Sequence, residues 1–502
     1  MLVIGLDSST TGTKAIAWDA GGRAVAEGRA RTPLENPAPD AWEQDAEAWW
    51  TGALGALGDC ARGLGARVRD VRALAVAHQR ETFVLVDEHG APLGRALVWM
   101  DSRGKEQVTA AVEKLGRERL HALSGKPPCI TPSLYKLMAL FAREPSLLAR
   151  GPGVFDVHAF LVTRLSGRRA TSLASADPMG LVDMQARAWS RELCELAGLD
   201  VARLPELVEP GREIGRLQSD VAKLTGLEPG LAVIAGAGDG QAAGLGAGIV
   251  APGRAYLNLG TAIVSGVLCF AYATDLAFRT LYGATPGTHF LETDLKGGTF
   301  TLTWLAEKWT RTGGDVGETL ASLERDAALI PAGSDGLMVV PYWNGVMNPY
   351  WDDAATGITL GWTGRHGPAH LYRAILEGIA FEQRLHTAGV EAATRTRVDE
   401  MVVMGGGSKS ALWCQILADV LGKRVVRART REATSLGAAV LASVAAGLHP
   451  NLDAAVASMT GTAETFEPGA GRDGYDRLFR EVYVHVFPAL QRPMTRLGTL
   501  TR

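Results

Sequence analysis

The stretch IGLDSSTTGTKAIAW, residues 4–18, decides how the chain is read. Leu2–Leu6 is an apolar run that ends on Asp7, and Thr13–Trp18 is a second extended run. Between them Ser8, Ser9, Thr10, Thr11 and Gly12 form a short polar turn, so the segment predicts two strands joined at a hydroxyl-rich loop. Asp19-Ala20-Gly21-Gly22 marks the next turn and Arg23–Arg31 continues extended. Asp45–Gly63 then carries Trp49, Leu54, Leu57 and Ala61 at helical spacing, and Arg72–Ala77 reads as a buried strand. Strands followed by alternating helix and strand predict an α/β fold with a mixed sheet.

The pattern restarts in YLNLGTAIVSGVL, residues 256–268, again as strand, small turn and strand, with Gly260-Thr261 at the turn. Two domains of similar design are therefore expected, residues 1–246 and 247–502. They meet around GLGAGIVAPG, residues 244–253, an uncharged glycine-rich link and a hinge candidate.

The remaining composition narrows the class. A chain of 502 residues buries a large core without disulfide or metal staples. With 51 Lys and Arg against 54 Asp and Glu, the net charge of −3 argues against nucleic-acid binding through bulk charge. The five cysteines are scattered with no Cys-x-x-Cys pair, which fits a reducing compartment. The N-terminal residues lack the charge and apolar pattern of a signal peptide, and residues 230–253 are interrupted by Asp239, so no membrane span is expected. A cytoplasmic protein is the expectation. The 60 glycines, where about 35 are usual at this length, direct attention to loops.

Five loops have the composition for chemistry. Asp7–Lys14 offers five hydroxyls, a glycine and Lys14 at a strand end, which suits phosphate oxygens, with Asp7 placed for Mg²⁺; a plain Ser/Thr-rich hairpin turn is the alternative. Gly-x-x-x-x-Gly-Lys-Ser/Thr is absent, so this is not a Walker A loop. Gly260-Thr261 is the matching turn of the second half. Gly236–Gly244 follows the apolar strand Leu231–Ala235 and carries a lone carboxylate, Asp239, placed either as a general base or as the cap of the following helix. The absence of an acidic residue about 20 positions later counts against a dinucleotide site. Gly405-Gly406-Gly407 follows the strand Glu400–Val403 and lets a ligand approach the backbone, or serves as a connector. The helix after it carries Leu412, Trp413, Ile416, Leu417, Val420 and Leu421 and ends at Gly422. Ala77–Thr82 and Trp99–Arg103 gather polar groups suited to a polyhydroxylated molecule, or form a solvated turn with an Arg80–Glu81 pair.

Taken in order, these stretches resemble the FGGY carbohydrate kinases, which share the actin/Hsp70-like (ribonuclease H-like) fold of two domains with an ATP cleft between them. The resemblance spans essentially the whole chain: DSSTTGTK at 7–14, QRET at 79–82, WMDSR at 99–103, GAGDGQAA at 236–243, NLGTA at 258–262, GITLGW at 357–362, GGGSKS at 405–410 and REATSLGAA at 431–439. It implies a sugar or polyol kinase using ATP and Mg²⁺, with Asp239 as catalytic base. Asp7 is implied at the metal. Thr10, Thr11, Thr13, Lys14, Gly260, Thr261, Thr299, Thr303, Gly406 and Ser410 are implied at the nucleotide. Arg80, Glu81, Trp99 and Asp239 are implied at the sugar or polyol. The implied partner is a small molecule, with neither nucleic acid nor membrane involved; a homodimer is admitted.

Two departures bear on substrate. Gln79-Arg80-Glu81-Thr82 looks like the glycerol kinase version of this strand end. Yet Thr131 stands near the position of that group's substrate-contacting Tyr, and Gly240 replaces the Gln after the catalytic Asp. Both residues are smaller, which is expected to leave room for a four- or five-carbon polyol or ketose; the implied range is a pentulose such as xylulose, or a glycerol-, tetritol- or pentitol-type polyol. Ala139 replaces the Trp of the family signature, and Tyr342–Pro349 departs from the usual Gly-Glu-Arg-Thr-Pro type loop. The other functional reading is a non-catalytic actin-like ATP-binding sensor or regulator.

Overall fold

The structure, a computed structural model, describes residues 1–309 and 315–501. The opening segment forms β1 (Leu2–Ser8), β2 (Gly12–Asp19) and β3 (Ala24–Arg31), an antiparallel meander. All seven residues of β1 are buried because the strand is central and covered on both faces. Helix α1 (Ala46–Leu64) starts where the Asp45 side chain accepts from the Glu47 backbone N–H and stops at Gly65, φ 54°. It buries Trp49, Ala53, Leu57 and Cys60. A Cβ on Gly28 of β3 would lie 2.1 Å from the Ala56 carbonyl oxygen, so helix and strand touch through backbone. β4 (Val71–His78) then pairs parallel to β1.

After an insertion that includes a small sheet around Phe83–Val86 and helix Ser133–Arg143, β5 (Glu213–Arg216) and β6 (Ala232–Gly238) complete a six-stranded sheet of order β5-β6-β4-β1-β2-β3. The expected strand Leu231–Ala235 runs three residues further, because Gly236 fits the backbone against Val76, whose carbonyl oxygen is 1.8 Å from where a Cβ would stand. Helix α2 (Asp239–Gly246) follows directly.

The second half repeats this plan. β7 (Arg254–Leu259), β8 (Ile263–Cys269), β9 (Arg279–Tyr282) and β10 (His289–Leu295) form the antiparallel side, followed by α3 (Thr299–Trp309) and α4 (Pro368–Thr394). β11 (Glu400–Met404) joins parallel to β7. Next come α5 (Ala411–Leu421), β12 (Arg424–Ala428), α6 (Ala433–Ala445) and β13 (Thr462–Phe466). The order is β9-β10-β8-β7-β11-β12-β13. The parallel trio β7-β11-β12 thus matches β1-β4-β6, each flanked by its meander, as the two readings of strand, turn and strand predicted.

The halves meet where α2 crosses α6. A Cβ on Gly437 would lie 1.8 Å from the Ala242 carbonyl oxygen, and one on Gly246 would lie 1.9 Å from that of Ala433. This corrects the reading of residues 244–253 as one flexible link. Gly244 and Gly246 are helical and serve close packing, Gly244 against Phe290 and Tyr256; only the residues after Gly246 connect. All five cysteines are free thiols, and among the described residues no helix is long and apolar enough to cross a membrane.

Candidate active site

The parallel strands end level with one another. Asp7 and Ser8 of β1 stand opposite Ala77 and His78 of β4, which stand opposite Ala237 and Gly238 of β6. Asp7, the Gln79–Thr82 turn and Asp239 therefore emerge together at the carboxyl edge of the sheet, where ligands bind in open α/β sheets. The loop between β1 and β2 is a tight turn in which the Ser9 N–H and Oγ both donate to the Gly12 carbonyl, at 2.9 and 2.8 Å. Thr10 Oγ1 accepts from Trp99 Nε1 at 3.0 Å, and the exposed Trp99 ring lies over the loop. Thr11 is exposed, and Lys14 reaches Glu432 of the second domain at 2.9 Å. Thr13 corrects its expectation: it is fully buried, with Oγ1 3.5 Å from Ser8 Oγ and packed against Gly52 of α1, because alternation along β2 turns it away from Lys14.

Asp7 is buried, and its Oδ1 has no hydrogen-bond partner. Burial pushes its carboxyl up to about 7, neighbouring Asp239 adds to the rise, and Lys14 offsets part of it. Asp239 is the first residue of α2. The cap position is Gly238, and the Asp239 side chain does not cap the helix from outside; its Oδ1 accepts from Arg80 Nε and from the Gly240 N–H, both at 2.8 Å. An orphaned carboxylate oxygen beside a second carboxylate fits a divalent cation, whose charge relieves the repulsion. Among the described residues no group of three or more His, Cys, Asp or Glu forms a complete cage. Water and phosphate oxygens would supply the remaining ligands, as suits Mg²⁺.

The turn 78–82 is not solvated, and Arg80 does not pair with Glu81. All five residues are buried, and both charges cross to the second domain. Arg80 Nη1 donates to both Glu292 oxygens at 2.8 Å, and Arg279 Nη1 donates to Glu81 Oε1 at 2.7 Å. Glu292 also accepts from Arg279 Nη2 at 2.6 Å and from the Tyr256 hydroxyl at 2.9 Å. Burial opposes its ionisation, but Arg80 and Arg279 outweigh burial and hold it below the usual carboxylate range. Glu81 adopts φ 51°, a left-handed conformation that costs a non-glycine residue about 1–3 kcal/mol and that clusters at functional sites.

This network also corrects the expectation that Gly240 leaves room for substrate. A Cβ there would lie 2.8 Å from Glu292 Oε2 and 3.1 Å from Arg80 Cζ, so the ion pair fills the space. Beyond it Lys126 pairs with Asp177 at 2.9 Å. Buried Lys136 donates to the Thr131 carbonyl, and burial lowers its ammonium to about 8. Sequence reasoning missed Arg279, Glu292 and Asp294. The available signal was two carboxylates at alternate positions of the short segment HFLETDL, between Leu291 and Leu295.

The second domain presents its own loops at a corresponding edge. The Thr299 and Phe300 N–H groups at the start of α3 donate to the Gly260 and Thr261 carbonyls at 2.9 and 3.4 Å, which holds the Gly260-Thr261 turn against the first residues of the helix; Thr303 lies one turn further along it. Asn258 and Met404 are register partners, so the Gly405–Gly407 loop lies alongside. Gly405, φ 82°, and Gly407 are required by contact with Asn258 and Trp413, whereas Gly406 faces open space. Ser410 Oγ accepts from the Trp413 N–H at 2.9 Å, so its side chain caps α5. That use differs from a direct adenosine contact.

The sequence matches the N-terminal domain of the FGGY family of carbohydrate kinases over residues 2–246 and the C-terminal domain over residues 255–446. The chain belongs to the FGGY family of carbohydrate kinases. It is an ATP-dependent carbohydrate kinase, and its substrate is a small molecule. It is 32% identical to a glycerol kinase from Citrifermentans bemidjiense, covering 95% of this chain and 96% of that protein. It is 27% identical to a xylulose kinase from Bacillus subtilis, covering 96% and 97%. The crystal structure of xylulose kinase from Rhodospirillum rubrum superposes with a TM-score of 0.90 at 28% identity, covering 98% and 100% of the two chains. The fold is thus the two-domain α/β kinase fold, and the reading as a non-catalytic ATP-binding sensor finds no support in these comparisons.

Proposed function

We propose that this FGGY kinase transfers the γ-phosphoryl group of ATP to a hydroxyl of a neutral polyol or ketose, with Asp239 as the general base. The observation that carries this reading is the placement of Asp239. It stands at the carboxyl edge of the first sheet beside Asp7, and both of its hydrogen bonds converge on Oδ1. The side chain keeps 40% exposure, and its Oδ2, outside both bonds, would take the proton as the substrate oxygen attacks phosphorus, a contribution of about 10²–10⁴-fold. Arg80 fixes the carboxylate's orientation and, with Glu81 and Trp99, binds the substrate hydroxyls.

Thr10, Thr11 and Lys14 would meet the phosphates from one side, and Gly260, Thr261 and Thr299 from the other. Gly406 and Thr303 would line the nucleoside, with Ser410 setting the helix behind it. Bound Mg²⁺, held by Asp7, would supply positive charge at the transferring group. A cytoplasmic setting, with ATP available and thiols kept reduced, suits this activity.

The test is ADP release from Mg-ATP across a panel of polyols and ketoses, with Asp239→Asn run beside the wild type. Stimulation by a compound in the panel, lost in the variant, is the expected result.

A further inference from the structure

Asp239 is aimed by an irregularity of the strand that carries it. In the pairing of β6 with β4, Ile234 stands opposite Ala75 and Ala237 opposite Ala77, so β6 spends one residue more than β4 over the same stretch. Such a bulge reverses the side-chain alternation of everything after it. The cores record the reversal. Val233 and Ala235 pack in the core that holds Trp49 and Leu57 of α1, whereas Ile234 packs on the other face of the sheet with Leu436 of α6. Ala237 follows Ile234 at an odd step, yet it lies in the same core as Ile234. A regular strand would put Ala237 on the α1 side and turn the residues after it, Asp239 included, over with it.

A bulge leaves a backbone group outside the ladder, and here that group has a partner: the Gly236 N–H donates to His158 Nε2 at 3.1 Å. His158 stands in the first turn of the helix Val157–Ser166, whose start is fixed by Asp156, with Oδ1 accepting from the Ala159 N–H at 2.6 Å. Asp156 Oδ2 accepts from Thr171 Oγ1 at 2.8 Å, and Thr171 Oγ1 lies 3.3 Å from His158 Nδ1. An N–H only donates, so Nε2 is the bare nitrogen of the ring and Nδ1 carries the proton. The Thr171 hydroxyl, its own hydrogen given to Asp156, accepts from Nδ1. The Ser172 N–H stands 3.4 Å from the same nitrogen, the longest contact of the set, and yields to this tautomer. Burial, to which His78 adds, pushes titration of the ring well below its ordinary value, so it is neutral. Asp156, His158 and Thr171 are all buried. A buried chain of bonds from Asp156 through Thr171 and His158 thus ends on the bulge just before Asp239.

We propose, resting on the kinase reading above, that His158 is a positioning residue for the reaction: it holds the Gly236 N–H, with Thr171 and Asp156 fixing its tautomer, and so locks the bulge that aims Asp239 at the substrate hydroxyl. Fully buried, it acts on the reaction through Asp239, and its loss lowers kcat while leaving KM for Mg-ATP as it was.

The test measures kcat and KM of the full chain by ADP release with the best of glycerol, erythritol, ribitol, xylitol and xylulose. The variants are His158→Phe, His158→Gln and Thr171→Val, each alone and combined with Asp239→Asn. His158→Phe, which keeps a ring and removes the acceptor, is expected to lower kcat about 10- to 100-fold with KM for Mg-ATP unchanged. His158→Gln, which offers an acceptor oxygen in place of Nε2, is expected to recover most of that loss. In the Asp239→Asn background His158→Phe is expected to cost nothing further, because residues that act as a unit are not additive; a purely structural loss would lower both backgrounds alike. If His158→Phe melts as an unfolded protein, Thr171→Val carries the test, with a smaller loss of kcat that is again absent from the Asp239→Asn background. Wild-type kcat in the folded variant that carries the test, an equal loss in both backgrounds, or a His158→Gln variant as slow as His158→Phe overturns this proposal while the kinase reading stands. A wild type that no compound stimulates, or an Asp239→Asn variant as active as wild type, overturns the kinase reading itself, and this proposal with it.

Discussion

Arg80 Nε lies 2.8 Å from Asp239 Oδ1, and the same guanidinium holds Glu292 through Nη1. One N-terminal side chain thus links the carboxylate assigned as base to a fully buried carboxylate of the second domain. Arg80→Ala would leave Glu292 with Arg279 as its one remaining guanidinium and would release Asp239. It is predicted to cost about 3 kcal/mol of stability, the low end for breaking a buried pair. It should also lower kcat about 10²-fold by misplacing the base. Thermal melting and ADP release check the two effects separately.

Gly240→Ala tests the packing of that pair. The added methyl would meet Glu292 Oε2 at 2.8 Å, so Arg80 and Glu292 must shift. Destabilisation of about 1–3 kcal/mol is expected, read by denaturant titration. Wild-type stability in this variant would show that the site has room at residue 240 after all.

Asp7 makes the protein's stability and its Mg²⁺ response depend on pH in opposite senses. The carboxyl titrates near 4 when unfolded and near 7 when folded. Between these values the folded state holds the extra proton. Its contribution to the unliganded protein is complete below about pH 4 and is lost as pH rises toward 7. Asp7→Asn, neutral throughout, is therefore predicted to melt above the wild type at pH 8, the gap narrowing as pH falls below 7 and closing near pH 4. Metal binding needs the ionised form, so the half-saturating Mg²⁺ concentration of the wild type should rise up to about tenfold for each pH unit below 7. Activity titrated with Mg²⁺ from pH 5.5 to 8 reads this directly.

The glycine loop separates fold from ligand. Gly406→Ala adds a methyl with nothing within 4 Å, so the melting temperature should hold while KM for ATP rises. Ser410→Ala removes a helix cap and is expected to cost about 1 kcal/mol. Equal effects of both substitutions on KM would argue that Ser410 touches the nucleotide directly.

The repeated strand-turn-strand segments made the two-domain fold legible, because a central buried strand has to be apolar throughout and its turn small and polar. Asp239 was legible for the same reason, as a lone carboxylate where an apolar strand stops. The pairing of Arg80 with Glu292 was not, since it joins residues 212 positions apart in two domains. A sequence motif shows that Arg80 and Glu81 stand together, yet the packing of the domains gives each a different partner. Gly240 misled for a related reason: a missing side chain reads as space, and here the space is taken by groups from distant segments. Thr13 shows the limit of reading a loop by composition, because strand alternation sends its hydroxyl to the far side of the sheet.

The central claim is that Asp239 removes the proton from the substrate hydroxyl. Its most direct test is kcat of Asp239→Asn against wild type at saturating Mg-ATP and the best polyol or ketose, with melting curves showing that both are folded. The account predicts a loss of about 10²–10⁴-fold. A folded Asp239→Asn enzyme that turns over at the wild-type rate would contradict it.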